Sequence, residues 1–152
     1  MPTIQLKAMT RKLCHELYKH WTNDASIYMD MHLFQPYVYD EAAVNRYFDM
    51  KGQDASRRLF AIMLGDKVIG ELQLKQIDHD KKECSLSIHM QNDAVKGRGY
   101  GTQAERLAVK TAFDELGMAA VNADTIRKNT RSQHVLGKVG FRFVREDETF
   151  KY

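Results

Sequence analysis

The stretch richest in chemical implication is Asn92-Asp93-Ala94-Val95-Lys96-Gly97-Arg98-Gly99-Tyr100-Gly101-Thr102, which sets three glycines at alternate positions between a strand-like and a helix-like segment. Glycine lets the backbone turn sharply and approach a ligand closely. The first-turn N–H groups of a helix opening there lack intrahelical partners, and the dipole favours negative charge at that end. A phosphate or pyrophosphate is the natural occupant, with Lys96 and Arg98 adding positive charge at the rim. The plain alternative is a loop that simply turns tightly. Two familiar phosphate loops fail on spacing. A P-loop needs GxxxxGK[ST], and a dinucleotide loop needs GxGxxG inside a parallel strand–helix–strand unit. Here the spacing is GxGxG, after an antiparallel meander.

Other residues carry chemistry more quietly. Between Thr125 and Arg145 there is no acidic residue, while Arg127, Lys128, Arg131, Lys138, Arg142 and Arg145 all fall there. That run reads either as a solvated basic face or as a site for an anionic ligand. Glu71 and Glu83 stand on strand segments as candidate bases, each with a solvated carboxylate as its plain reading. His89 is a further candidate, because an imidazole is the side chain suited to proton exchange near neutral pH, though a strand histidine is commonly just packed or solvated. Ser132 either bonds local backbone near a helix start or faces a reacting group. The two cysteines, Cys14 and Cys84, are far apart. They make neither a disulfide framework nor a CxxC zinc site; Cys84 reads as packed, and no metal is expected.

These residues need elements to position them. Arg11 to Trp21 reads as a helix with Thr10 as N-cap and Leu13, Leu17 and Trp21 on one stripe. Met29 to Tyr39 is apolar but aperiodic and contains Pro36, so it reads as a packed loop. A short helix follows, opened by Asp40 and carrying Val44, Tyr47 and Phe48, and the two segments together are expected on the acceptor side of any site. Three strands come next: Arg58–Leu64, a Gly65-Asp66 turn, Lys67–Gln76, a polar turn at 78–82, and Glu83–Met90. In the last, Cys84, Leu86, Ile88 and Met90 share one face and Glu83, Ser85, Ser87 and His89 the other. Thr102–Leu116 is expected helical, with Ala104, Leu107, Ala108, Thr111 and Ala112 at core spacing and Gly117 as its cap. Ala119–Asp124 reads as a strand, Thr130–Val139 as a helix and Phe141–Glu146 as a strand. The order indicates an α/β or α+β fold with a mixed sheet.

With these elements in place, the sequence resembles the GNAT superfamily of acetyl-CoA-dependent N-acetyltransferases. The family's pyrophosphate signature is [Q/R]-x-x-G-x-[G/A], and Lys96-Gly97-Arg98-Gly99-Tyr100-Gly101 departs from it only in Lys96, which keeps a donor. Asn129 to Phe141 resembles the N-x-x-S-x-x-V-L-x-K-x-G-F segment of its RimJ/RimL-like branch. The likeness runs through residues 55–145. It implies a mixed, mostly antiparallel central sheet flanked by helices, with a splayed strand pair that binds the cofactor. Ile88, His89 and Met90 would hold pantetheine through main chain. Lys96, Gly97, Arg98, Gly99, Tyr100, Gly101 and Thr102 would form the pyrophosphate site, and Asn129 would bond the pantetheine arm. Charge then suggests the basic run after Thr125 for the ribose 3′-phosphate. The resemblance implies a base on the strand carrying Glu83. The family's usual acid is a Tyr, but Leu136 occupies that position, so Ser132 becomes the candidate acid, as in the RimJ/RimL-like enzymes.

The chain has 152 residues, 43% hydrophobic and 28% charged, with a net charge of +3. That length and composition fit one globular domain over residues 1–152. No stretch approaches the roughly 18 apolar residues of a membrane span, and the first residues lack the apolar region of a secretory signal, so a cytoplasmic protein is expected, with neither nucleic acid nor membrane as partner. The primary reading is an N-acetyltransferase moving an acetyl group to a primary amine, a protein N-terminus or a small amine, in a ternary complex. The resemblance allows a homodimer. A GNAT-fold module that binds acetyl-CoA without turnover is the second reading, and a basic nucleic-acid-binding protein the third.

Overall fold

The computed structural model describes residues 3–21, 38–91, 99–123, 125–126 and 150–151. The expected helix over 130–139 and strand over 141–146 lie outside these residues, as does the 29–37 part of the expected packed loop. Described elements run β1 (Ile4–Ala8), α1 (Arg11–Lys19), α2 (Glu41–Gly52), β2 (Arg58–Leu64), β3 (Lys67–Asp78), β4 (Glu83–Met90), α3 (Tyr100–Asp114), β5 (Ala120–Ala123), β6 (Thr125–Ile126) and β7 (Phe150–Lys151). A five-stranded sheet takes the order β1-β2-β3-β4-β5, antiparallel except for the parallel β4–β5 pair. β6 and β7 form a separate antiparallel pair. This is a mixed α/β fold with a mostly antiparallel sheet flanked by helices.

Both faces of the central strands are covered, which is why β2 and β3 read as nearly unbroken apolar runs. Ile62, Leu72, Leu74 and Leu86 belong to a cluster under α3, whose Ala104, Ala108 and Ala112 are fully buried at four-residue spacing. Small side chains on that row let the helix backbone come close to the sheet. Ala61, Met63 and Val68 face the other way, into a cluster with Cys14 and Leu17 of α1 and Val44 of α2. Burying each large aliphatic side chain contributes about 1.5–3 kcal/mol.

A bulge near Ile69 explains how one strand serves both clusters. β3 pairs Gly70 with Ile62 but Val68 with Met63, so Ile69 is an extra residue. The slip turns Val68 toward α1 and α2 and Ile69 toward α3. A second slip, with Gln76 at φ 52°, lies between Lys75 and Asp78. It breaks the two-residue alternation, and it is why β3 extends to Asp78 rather than ending at Gln76 as the pattern suggests.

Local signals set the helix ends. Thr10 accepts from Leu13 N at 3.1 Å, and Asp40 accepts from Ala42 N at 3.0 Å. α1 and α2 are clasped on their outer side by His15, which bonds Tyr39 Oη at 2.6 Å and Asn45 Oδ1 at 2.9 Å. α3 opens two residues earlier than its apolar spacing predicts, at Tyr100, because Gly99 takes a left-handed φ of 80°. It closes through Gly117, φ 70°, with Met118 N donating to Ala112 O at 2.9 Å. Leu107, expected in the core, is 37% exposed; the buried row is Tyr100, Ala104, Ala108 and Ala112, joined by Glu105. β1 was not signalled in sequence. Its pattern of one buried and one half-buried residue among exposed ones is that of an edge strand.

Candidate active site

β4 and the start of α3 define the site. The β4–β5 ladder runs only from Glu83↔Ala120 to Leu86↔Ala123, whereas the β4–β3 ladder continues to Gly70↔Met90. After Ala123 the chain leaves β4, and Thr125–Ile126 pair instead with Phe150–Lys151. Among the described residues, Ser87 to Met90 therefore have β3 on one side and no strand on the other. That opening is followed in sequence by the glycine loop and then by the N-terminus of α3. Gly99 caps this helix and, having no side chain, makes no cap hydrogen bond to its first-turn N–H groups. An open strand edge leading to a glycine-capped helix start suits an elongated ligand that carries amide groups at one end and an anion at the other.

Of the residues marked out by sequence, Ile88, His89 and Met90 lie on the open part of β4, and Gly99, Tyr100, Gly101 and Thr102 at the start of α3. Tyr100 is buried in the cluster under α3. Lys96, Gly97, Arg98, Asn129, Ser132 and Leu136 lie outside the described residues. Glu83 is exposed, at the first residue of β4, opposite Asp78 and Ala120. Six strand steps, about 20 Å, separate it from His89. It shares the face expected of it with Ser85, Ser87 and His89, but at the closed end of the strand pair.

Glu71 is placed very differently. It is fully buried on β3, directly across from His89. Tyr18 of α1 donates to its Oε2; Tyr47 of α2 and the Gln73 amide donate to its Oε1. Gln73 also donates to Tyr47 Oη at 3.0 Å and accepts from Arg57. A buried carboxylate is tolerable when donors converge on it in this way. Burial and then the negative charge of Glu71 hold both tyrosine hydroxyls well above their ordinary range, so they remain donors. The same two causes push the Cys14 thiol up to about 12, and burial alone raises Cys84. Neither thiol is a nucleophile at neutral pH.

This network was missed in sequence. Its signal was Glu71 and Gln73 interrupting an apolar strand at alternate positions, matched by tyrosines on the inward stripes of two helices. From it an aromatic line runs toward β4: Tyr47 to Tyr18 at 5.6 Å, Tyr18 to Trp21 at 4.9 Å, and Trp21 to His89 at 6.5 Å between ring centroids. Gln91 fastens the end of β4 beneath it, donating from its backbone to Ile69 O and from its amide to Leu17 O, both at 2.8 Å. The second bond satisfies a carbonyl of the last turn of α1.

Residues 4–142 match the family model of the acetyltransferase (GNAT) domain. The chain belongs to this family. A curated relative, the probable N-acetyltransferase YjcK of Bacillus subtilis (strain 168), is 34% identical over 76 residues. That match takes in 50% of this chain and 42% of the relative, so the chain spans less than half of its length. The crystal structure of spermidine N-acetyltransferase from Vibrio cholerae, in complex with CoA and spermine, superposes with a TM-score of 0.77 at 17% identity, over 98% of this chain and 92% of that one. The N-acetyltransferase PseH of Campylobacter jejuni does so at 0.72 and 18%, over 99% and 95%. At such identities the likeness is one of fold. In this GNAT domain β4 parts from β5 after Leu86, and Gly99 opens α3.

Proposed function

We propose that this GNAT domain is an acetyl-CoA-dependent N-acetyltransferase that moves an acetyl group to a primary amine by direct attack in a ternary complex. The observation that carries the reading is the β4 edge that, among the described residues, is left open from Ser87 to Met90 and leads to the glycine-capped start of α3. The main chain of Ile88, His89 and Met90 would hold the pantetheine arm. Lys96, Gly97 and Arg98, with the N–H groups of Gly99, Tyr100, Gly101 and Thr102, would hold the pyrophosphate, and Asn129 would bond the pantetheine arm. The residues present fit that ligand, because the open edge offers paired donors and acceptors and the helix start attracts an anion. When bound, acetyl-CoA supplies an activated acyl group as a thioester.

The protein must then handle protons. Alkyl amines are mostly protonated at neutral pH, so a base is needed. Glu83 is the residue the family pattern suggests, but its exposed position at the closed end of β4 gives it no advantage over Glu71, which is buried and bonded to three donors. Main-chain N–H groups of the open strand are suited to the oxyanion. Ser132 is the proposed acid for the departing thiolate, in place of the Tyr that Leu136 replaces. The segment from Asn129 to Phe141 resembles the RimJ/RimL-like branch, which favours a protein N-terminus as acceptor. The spermine complex of the Vibrio enzyme favours a small polyamine.

Calorimetric titration with acetyl-CoA, followed in the same samples by thiol release with peptides, spermidine and simple amines, tests the proposal. Saturable binding with amine-dependent release is the expected result. Binding with no release for any amine would instead support a non-catalytic acetyl-CoA module, the reading that Leu136 favours. No binding by folded protein would remove the cofactor site itself.

A further inference from the structure

The polar face of β4 carries a pairing that the cofactor assignment leaves unused. Ser87 Oγ lies 3.3 Å from His89 Nε2, two residues along the same face. Both sit past Leu86, on the stretch that β5 no longer covers. The imidazole is exposed and meets the edge of Trp21 at 63° between ring planes. It lies on the open stretch of β4, and its side chain shares the face of Ser87, opposite Leu86 and Ile88. The ring thus reaches toward Trp21, just past α1.

We propose that His89 is the group that takes the proton from the acceptor amine, with Ser87 and Trp21 as its positioning residues. This rests on the acetyl-transfer reading above. Other titratable groups around it on this face are unsuited. From α1 and α2, Tyr18 and Tyr47 are donors to Glu71, and Cys14 is a buried thiol. From β3, Glu71 is fully buried and accepts three hydrogen bonds, while Arg57 reaches it only through Gln73. Glu83, on β4 itself, is about 20 Å away along the strand. His15 has both ring nitrogens bonded on the outer side of α1. Among the described residues, only His89 combines exposure, a place on the open edge and an imidazole's titration near neutral pH.

The surroundings also suit a ring that changes charge. A hydroxyl both donates and accepts, so Ser87 partners Nε2 whether or not it carries the proton. Glu71 and His89 are direct cross-strand partners, with Cβ atoms about 4.5–5.5 Å apart for such a pair. The negative charge under the network therefore favours the imidazolium that forms. In the step, an N–H bond of the ammonium breaks and an N–H bond of the imidazole forms. The freed nitrogen lone pair makes the C–N bond to the acyl carbon, and the C–S bond breaks with its electron pair passing to sulfur. The new amide nitrogen, still carrying two protons, releases one to the thiolate, which leaves the neutral amide and the thiol; the imidazolium gives its own proton to water, restoring the ring.

The test compares wild type, His89→Gln and Ser87→Ala, measuring thiol release from acetyl-CoA with spermidine, butylamine and a tripeptide bearing a free N-terminus, from pH 5 to 9. CoA affinity serves as the check that each variant is folded with its main-chain site intact. In wild type, kcat/KM should fall on the acid side with a midpoint in the imidazole range. His89→Gln should bind CoA normally, lose about 10²–10⁴-fold in kcat/KM, and lose that acid limb. Ser87→Ala should lose less and keep the limb. Trp21 is the chain's single tryptophan, and an imidazolium quenches indole emission more than neutral imidazole does. Its fluorescence should therefore titrate in wild type and not in His89→Gln. If His89→Gln keeps the wild-type rate, or loses rate while retaining the acid limb, the assignment of His89 is overturned and the transferase stands. If wild type releases no thiol with any amine at any pH, the transferase reading falls and takes this role with it.

Discussion

Glu71 and Glu105 are both carboxylates with almost no exposed surface, and the fold treats them oppositely. Glu71 is met by Tyr18, Tyr47 and Gln73. Glu105 lies in α3 at 1% exposure, and among the described residues its Oε2 has no hydrogen-bond partner. Burial without compensation disfavours its charged form, raising its pKa from 4.5 to about 7. A raised pKa means the folded protein holds this proton more tightly than the unfolded chain does. Its favourable contribution is therefore complete below about pH 4.5 and is lost as pH rises through about 7, at a cost on the order of 3 kcal/mol. Glu105→Gln removes the titration. Its stability should change less than that of wild type between pH 5 and 8, and the variant should gain on wild type toward pH 8. Urea midpoints across that range measure it; parallel curves for the two proteins would show that Glu105 is already compensated.

At the scale of elements, the interval between β3 and β4 decides how the site is presented. An added Cβ at Gly70 would meet His89 O at 2.9 Å, Ile62 Cδ1 at 3.0 Å and Met90 Sδ at 3.1 Å. The first of these is backbone, so it cannot rotate away. Gly70→Ala should push the open end of β4 outward, weakening CoA binding as well as costing about 1–3 kcal/mol of stability. Gly52→Ala, where nothing lies within 4 Å, is the matched control and should leave both unchanged or slightly improved. Unchanged CoA affinity in Gly70→Ala would separate the site from this interval. The same scale shows what could be read in advance. β2 and β4 were legible to their last residues because turns bound them, and Thr10 and Asp40 announced their helices by side-chain chemistry. Gly99 and the glycine pattern marked the start of α3, though its first turn lay outside the apolar spacing. β1 was not legible, since an edge strand needs only one apolar face and Gln5 and Lys7 hide it. The Glu71 network was invisible for a different reason. A carboxylate's burial depends on donors far away in sequence, and Tyr18 and Tyr47 read equally well as core.

For the molecule as a whole, the cofactor proposal predicts a coupling between ligand and fold. An unfolded chain has neither the open β4 edge nor the helix start, so CoA binds only the folded state. At a concentration about a hundredfold above Kd it should add about 2.7 kcal/mol of stability. For a domain of this size that is a rise in Tm of roughly 5–10 °C. Gly101→Glu isolates the cause. Gly101 lies in the first turn of α3, where glutamate has better helix propensity than glycine and suits the positive end of the dipole. The variant alone should therefore melt no lower than wild type. Its carboxylate would nevertheless stand against a pyrophosphate, so the rise with CoA should disappear. A global weakening of the protein would lower Tm without ligand, and a general ionic effect would leave part of the rise in place. Loss of the rise from an undiminished starting Tm has neither explanation. An equal rise in both proteins would instead move the anion site away from the start of α3, even with the fold and the family unchanged.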